Sequence, residues 1–95
     1  VHCQEVAEHI DEEHVENLLE SLACGRFVLM THALPGQLGH HHVNLQPPEY
    51  WLGKLAEYGL HLLPEDTARV RAIANEEGAI YVGQTGLVLA NELLV

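Results

Sequence analysis

Residues 26–31, Arg-Phe-Val-Leu-Met-Thr, form a short apolar run without polar alternation. A continuous apolar run of this length is typical of a strand that is covered on both faces, as the central strands of a parallel sheet are. Helix signals lie on both sides of the run, so the chain alternates strands and helices in the manner of βα units. We therefore predict an α/β fold in which residues 26–31 form a central strand.

A helix is predicted directly before this strand. The acidic residues 11–13 supply an N-cap and a negatively charged first turn, and Gly25 supplies a C-terminal stop. Between them, apolar residues follow the i, i+3, i+4, i+7 spacing of one helix face. This pattern predicts a helix over residues 12–23. The apolar stripe consists of Val15, Leu18, Leu19 and Leu22.

Local signals predict further elements in the second half of the chain. Proline at the first turn and glycine after the last turn delimit helices, whereas β-branched and apolar runs favour strands. These elements are a helix over residues 49–58, a strand over 61–63, a helix that starts at 64 and ends at Gly78, and a strand over 79–90.

The charge balance excludes two classes of partner. Fourteen acidic residues against four basic ones give a formal net charge of −10. Such a chain repels nucleic-acid backbones and anionic lipid, so we expect no nucleic-acid partner. No apolar run approaches the roughly 18 residues of a membrane span, so we expect no membrane partner and a cytoplasmic location. Cys3 and Cys24 are expected to be free thiols in a reducing cytosol.

The segment 32–48 lies between the central strand and the next helix and contains most of the polar chemistry. A loop of this length without periodicity is more often functional than a plain connector. His40 and His42 could share one face of an extended loop, and either could act as a general base for an acceptor hydroxyl. The alternative is a loop histidine that hydrogen-bonds the backbone.

The first ten residues read as a strand end that runs into an acidic loop. Glu5, Glu8 and His9 could converge on a divalent cation, with a fourth ligand from His40 or His42. The alternative for the carboxylates is a structural role without metal, in which they cap the next helix or line the edge of a cofactor.

These two segments resemble class I S-adenosylmethionine-dependent methyltransferases. Residues 5–10, Glu-Val-Ala-Glu-His-Ile, are similar to an E-x-x-E-H-type segment of that family. Residues 35–51 are similar to a substrate-side loop P-G-Q-G-G-x-x-H-V-N-x-Q-x-x-x-Y-W, with Leu38 in place of one glycine. The resemblance covers nearly the whole chain. It implies the C-terminal half of a Rossmann-like sheet with about four strands and about three helices, the last strand being antiparallel and inserted at the sheet edge.

The resemblance also implies methyl transfer from S-adenosylmethionine to a small-molecule or sugar-like acceptor. It implies Glu5 at the cofactor edge and, as in some relatives, a divalent metal on Glu5, Glu8 and His9 that orients the acceptor hydroxyl. The chain has no G-x-G-x-x-G loop after a strand, so we expect residues 1–95 to be a single partial domain that is inactive alone. The predicted substrate-binding residues are Gln37, His42, Asn44, Gln46, Tyr50 and Trp51.

Alternatives remain for these residues and for the whole chain. Trp51 could instead pack its helix onto the sheet, and Asn44 and Gln46 could form turns. The chain itself could be a non-catalytic half-Rossmann module. Such a module would form a homodimer through an exposed sheet edge or would complete a partner's sheet.

Overall fold

The computed structural model of the chain describes residues 1–34 and 43–94. Two 3-10 turns, Ala7–His9 and Glu12–His14, lead from the first strand to the first helix. The strands are β1 (His2–Cys3), β2 (Phe27–Met30), β3 (Leu60–Leu62) and β4 (Leu87–Asn91), and the helices are α1 (Val15–Leu22), α2 (Pro48–Glu57), α3 (Pro64–Glu76) and α4 (Ile80–Thr85).

The four strands form one mixed sheet in the order β1, β2, β4, β3. Strands β1 and β2 are parallel, whereas β4 is antiparallel to both of its neighbours, β2 and β3. The last strand of the chain is therefore inserted between two earlier strands. The predicted α/β class, the four strands and the antiparallel last strand are confirmed, whereas the predicted place of the last strand at the sheet edge is wrong, because β4 pairs on both sides.

The hydrophobic core lies on one face of this sheet, beneath α1 and α2. Val28 and Met30 of β2 pair in register with Leu89 and Leu87 of β4, and all four side chains are at most 2% exposed. Burial of one such side chain contributes about 1.5 to 3 kcal/mol, so this face dominates the hydrophobic stabilisation. The helix residues in the same cluster are Val15, Leu19, Leu22, Trp51 and Leu55.

The opposite face of the sheet is less completely covered in the described part of the chain. Phe27 is 57% exposed, and Leu29, Val88 and Ala90 are half-buried. Successive residues of a strand point to opposite faces, so these side chains lie away from the core that contains Val28. The prediction that this strand is covered on both faces is wrong for residues 1–34 and 43–94, because α1 and α2 pack on the same side.

Helices α2 and α3 both end at the glycines that the sequence indicates. Gly59 and Gly78 have φ values of 82° and 80°. This left-handed conformation is favourable for glycine and ends a helix without a Cβ penalty. The predicted ends of these two helices are confirmed.

Residues 80–85 correct the sequence prediction. They were expected to belong to a strand over residues 79–90, but they form the helix α4, and β4 begins only at Leu87. A Cβ atom at Gly83 would clash with the side chain of Asn75 on α3, so glycine at this position allows α3 and α4 to approach closely. Packing against α3 therefore overrides the strand propensity of the Ile-Tyr-Val sequence.

Two further predictions can be compared with the fold. Cys3 is buried and Cys24 is exposed, and both are free, as predicted. Within the described ranges, no helix has the length and apolar character needed to cross a membrane. The predicted cytoplasmic location stays a prediction.

Candidate functional site

A small pocket lies beyond the carboxyl ends of the parallel strands β1 and β2. Its interior volume is about 30 Å³, which is room for about one water-sized group. Open α/β sheets bind their ligands outside the carboxyl ends of parallel strands. We call this site the Glu8–His32 pocket. It is lined by Glu5, Glu8, Thr31, His32, Ala33, Tyr81, Gln84 and Thr85.

Hydrogen bonds join the ends of β1 and β2 to α4 around this pocket. The amide of Thr31 donates to the carbonyl oxygen of Cys3 at 3.0 Å, and the amide of Glu5 donates to Thr31 Oγ1 at 2.8 Å. The amide of His32 donates to Thr85 Oγ1 at 3.2 Å. Both threonines are buried, so their hydroxyl groups form part of the pocket wall.

The backbone of Glu5 adopts a conformation that is unusual for a residue with a side chain. Its φ is 56°, in the left-handed region. A non-glycine residue in this region costs about 1 to 3 kcal/mol, and such residues cluster at functional sites. Glu5 is exposed, and its position lines the pocket from the solvent side. This turn changes the direction of the backbone between β1 and Glu8.

Two polar side chains of the pocket are buried and carry atoms without hydrogen-bond partners in the described residues. Glu8 is 2% exposed, and its Oε2 atom has no partner. His32 is 3% exposed, and neither Nδ1 nor Nε2 has a partner. Each unpartnered buried group costs about 1 to 3 kcal/mol. Two such groups in one pocket indicate a binding site, because a ligand would supply the missing partners.

Burial lowers the pKa of His32 from its ordinary value of 6.5. The backbone at Ala33 and Gln46 opposes this shift, although neither contact has the geometry of a hydrogen bond. The charge of Arg71 lowers the pKa further, and that of Glu49 raises it. His32 is therefore neutral at neutral pH, and one ring nitrogen can accept a proton while the other donates a hydrogen bond.

Cys3 lies next to the pocket, and its thiol is unreactive at neutral pH. Burial raises the pKa of its thiol, and the nearby charge of Glu8 raises it further. The thiol is therefore protonated at neutral pH, whereas the thiolate is the reactive form. Cys3 therefore supplies no nucleophile to the pocket at neutral pH.

Hydrogen bonds join the end of the segment 32–48 to the turn that contains Glu8. The amides of Val43 and Asn44 both donate to the carbonyl oxygen of Glu8, at 2.9 and 3.0 Å. The side chain of Asn44 is buried, donates to Glu12 Oε2 at 3.5 Å and accepts from Gln46 Nε2 at 3.0 Å. These contacts bring the loop end to the outer side of the pocket.

Tyr50 completes this second group of polar residues. Its hydroxyl donates to the carboxylate of Glu12. Burial and this hydrogen bond raise the pKa of Tyr50 to about 12. We call Glu12, Asn44, Gln46 and Tyr50 the Glu12 network.

The predicted substrate-binding residues are divided among three places. Three of them form the Glu12 network and do not line the Glu8–His32 pocket. Trp51 is fully buried in the core, so its substrate-binding role is not supported and the alternative, packing of its helix onto the sheet, is confirmed. Outside the described residues lie Gln37, His40 and His42.

The predicted metal ligands are only partly brought together. Glu5 and Glu8 line the same pocket, whereas His9 is exposed and does not line it. In residues 1–34 and 43–94, no group of three or more His, Cys, Asp or Glu side chains is arranged to hold a metal ion. The structure therefore gives no support to a metal site on Glu5, Glu8 and His9.

Sequence analysis missed six residues of the pocket wall, namely Thr31, His32, Ala33, Tyr81, Gln84 and Thr85. Thr31 ends the predicted central strand and His32 directly follows it, and the carboxyl end of such a strand is where α/β sheets bind ligands. That signal could have identified them. Thr85 carried no comparable signal, because residues 79–90 were predicted to be a strand.

Comparisons of the chain with protein-family models, curated proteins and solved structures found no match. These comparisons neither support nor contradict the resemblance to class I methyltransferases. The function therefore has to follow from the fold and from the Glu8–His32 pocket.

Proposed function

We propose that this chain forms the acceptor side of the active site of an S-adenosylmethionine-dependent methyltransferase. The direction of the last strand supports this proposal. Strand β4 is antiparallel to its neighbours, as the resemblance to the C-terminal half of that Rossmann-like fold implies. The Glu8–His32 pocket at the carboxyl ends of β1 and β2 supplies the second support, because sheets of this class bind ligands there.

The residues of the chain fit the acceptor side of such a site better than the cofactor side. S-adenosylmethionine supplies a methyl group on a sulfonium when it is bound. The chain contains no G-x-G-x-x-G loop for the cofactor. Glu5, at the solvent side of the pocket, is the residue that we assign to the cofactor edge. We therefore expect residues 1–95 alone to bind the cofactor weakly and to be inactive.

His32 is the general base that we assign in the described part of the chain. It is buried, is neutral at neutral pH, has ring nitrogens without hydrogen-bond partners, and belongs to the pocket lining. A base of this kind must reach the proton of the acceptor through one hydrogen bond or one water. Glu8 would accept a second hydrogen bond and orient the acceptor group. His40 and His42 stay predicted bases outside the described residues.

The proposal is tested with the protein expressed from its full reading frame. The protein is incubated with S-adenosylmethionine and with separate fractions of amines, alcohols and sugars, and S-adenosylhomocysteine is measured. We expect product with at least one fraction, and a loss of about 10²- to 10⁴-fold in His32→Gln, the range for a lost acid-base group.

The matched control is His61→Gln, which changes an exposed histidine on β3 and should leave the rate unchanged. A folded protein that neither binds S-adenosylmethionine nor forms S-adenosylhomocysteine would overturn the proposal.

A second candidate function is the half-Rossmann module that completes another sheet. The observation in its favour is the edge strand β1, which pairs only with β2 in the described sheet. An edge of this kind can add a strand from a second chain. Analytical ultracentrifugation over a wide range of concentrations tests this candidate. Val1 and Cys3 direct backbone groups to β2, so the backbone of His2 lies on the outer edge. A concentration-dependent dimer that His2→Pro weakens would favour this candidate, and a monomer at all concentrations would remove self-association.

A further inference from the structure

The lining of the Glu8–His32 pocket contains acidic residues and, in the described part of the chain, no lysine or arginine. Glu5 and Glu8 line it, whereas Arg71 lies outside the lining although its charge acts on His32. The net charge of −10 adds a negative potential around it. The pocket therefore repels anions and attracts cationic groups.

The hydrogen-bonding capacity of the pocket also favours a cationic ligand. Oε2 of Glu8 is buried without a partner, and a carboxylate oxygen accepts hydrogen bonds, as does one ring nitrogen of a neutral His32. The hydroxyl oxygens of Thr31 and Thr85 already accept from backbone amides. A complementary ligand therefore has more donors than acceptors. An ammonium group has three donors and no acceptor, whereas a hydroxyl group has one donor.

The shape of the pocket limits how much of the ligand enters. An interior of about 30 Å³ admits one small polar group, so the remainder of the ligand stays toward solvent. Tyr81 lines the pocket and is 47% exposed. An exposed tyrosine ring is a favourable neighbour for a cationic group or for the methylene groups next to it.

We infer that the Glu8–His32 pocket binds the terminal amino group of a primary amine, with Glu8 as its carboxylate partner. As an assignment of the acceptor, this inference rests on the proposed methyl transfer and narrows the acceptor from alcohols, sugars and amines to amines. As a statement about binding, it stands on the unpartnered groups and the charge of the pocket. Binding is therefore tested without the cofactor.

The test compares three probes of equal chain length, n-butylamine, n-butanol and butyrate, with the isotope-labelled chain at neutral pH. The amide chemical shifts of Ala33 and Thr85 report on the pocket, because both residues line it. We expect n-butylamine to shift both amides to saturation with an affinity at least about tenfold above that of n-butanol, which corresponds to about 1.4 kcal/mol. Butyrate should shift neither amide.

Substitutions then assign the effect to Glu8. Glu8→Gln keeps the shape of the side chain and removes its charge, so we expect the affinity for n-butylamine to fall by about tenfold or more. The matched control is Glu57→Gln, an exposed glutamate on α2, which should bind n-butylamine as the wild type does. If Glu8→Gln does not fold, the ranking of the three probes with the wild-type chain still decides.

Several outcomes overturn the inference. These are equal binding of n-butanol and n-butylamine, preferential binding of butyrate, and amine shifts that occur over the acidic surface but not at Ala33 and Thr85. Amine binding together with no S-adenosylhomocysteine formation would keep the inference and overturn the proposed methyl transfer. Product formation with alcohols and not with amines would overturn the inference and keep the proposed function.

Discussion

The Glu12 network and the Glu8–His32 pocket are neighbouring polar regions that differ in how their groups are satisfied. In the network, the side chains of Asn44, Gln46 and Tyr50 bond to one another or to Glu12. In the pocket, Glu8 and His32 are almost fully buried and retain unpartnered polar atoms. The network therefore serves to hold the loop end, whereas the pocket keeps polar groups that a ligand can bind.

The two regions meet at the backbone of Glu8. Its carbonyl oxygen accepts the amides of Val43 and Asn44, so the network side of the turn is saturated. Its side chain lines the pocket. Glu8 therefore has a structural role through its backbone and a binding role through its side chain. Substitutions of the side chain change the second role and leave the backbone contact in place.

The largest expected effect is in the network. Asn44→Ala removes a buried amide that bonds to Glu12 and Gln46, so the free energy of unfolding should fall by about 1 to 3 kcal/mol. Urea unfolding followed by circular dichroism measures it. The control Asn17→Ala changes an exposed residue of α1 and should stay within about 0.5 kcal/mol of wild type. Equal effects at both positions would show that the network does not hold the loop end.

In the pocket, a substitution is expected to increase stability and not to decrease it. Glu8→Met replaces an unpartnered buried carboxyl group by an apolar one of similar length, so the free energy of unfolding should rise by about 1 kcal/mol while amine binding is lost. The control Glu57→Met should change stability by no more than about 0.5 kcal/mol. A clear loss of stability in Glu8→Met would mean that the carboxyl group of Glu8 already has hydrogen-bond partners, as the side chains of the network do.

The pH dependence of stability separates the regions further. Burial lowers the pKa of His32 in the folded chain below the value of about 6.5 in the unfolded chain. As the pH falls below about 6.5, the unfolded state therefore binds a proton first and stability is lost. Wild type should lose more stability on acidification than His32→Gln, and His61→Gln should behave as wild type. Identical losses in wild type and His32→Gln would contradict this prediction.

The smallest expected effect is a change in the pKa of Tyr50 in the Glu12 network. Burial and the hydrogen bond to Glu12 raise the pKa of Tyr50 to about 12, so Glu12→Gln should lower it. Ultraviolet absorbance of tyrosinate measures the change, and subtraction of the Tyr50→Phe curve assigns it to Tyr50. Because the folded pKa is raised, stability should fall as the pH rises above about 10 toward that value. An unchanged Tyr50 curve in Glu12→Gln would contradict the bond.

Local sequence patterns predicted most elements of the fold. The helix before the central strand, that strand, the two proline-started helices and the short strand between them lie within a few residues of their predicted bounds. Their signals depend on caps, stops and apolar spacing within about one or two helical turns. Residues 80–85 failed because their β-branched sequence favours a strand, whereas contact with α3 at Gly83 favours a helix.

The candidate site was less predictable for the same physical reason. Sequence analysis singled out Glu5 and Glu8, which line the pocket, but assigned them to a metal that the described residues do not support. It identified Asn44, Gln46 and Tyr50 as polar residues of interest, but their partner, Glu12, could not be inferred. A hydrogen bond between residues this far apart in the chain depends on how the loop end folds back.

The sequence by itself determined the local elements, the acidic surface and the glycines that end α2 and α3, because neighbouring residues decide caps, periodicity and backbone conformation. The tertiary structure decided the insertion of β4 between β2 and β3, the less completely covered face at Phe27 and the meeting of Glu8 with His32. Those features need the parallel pairing of β1 with β2 and the packing of α4 at their carboxyl ends. Such long-range contacts are selected by the fit of the whole core and not by any single segment.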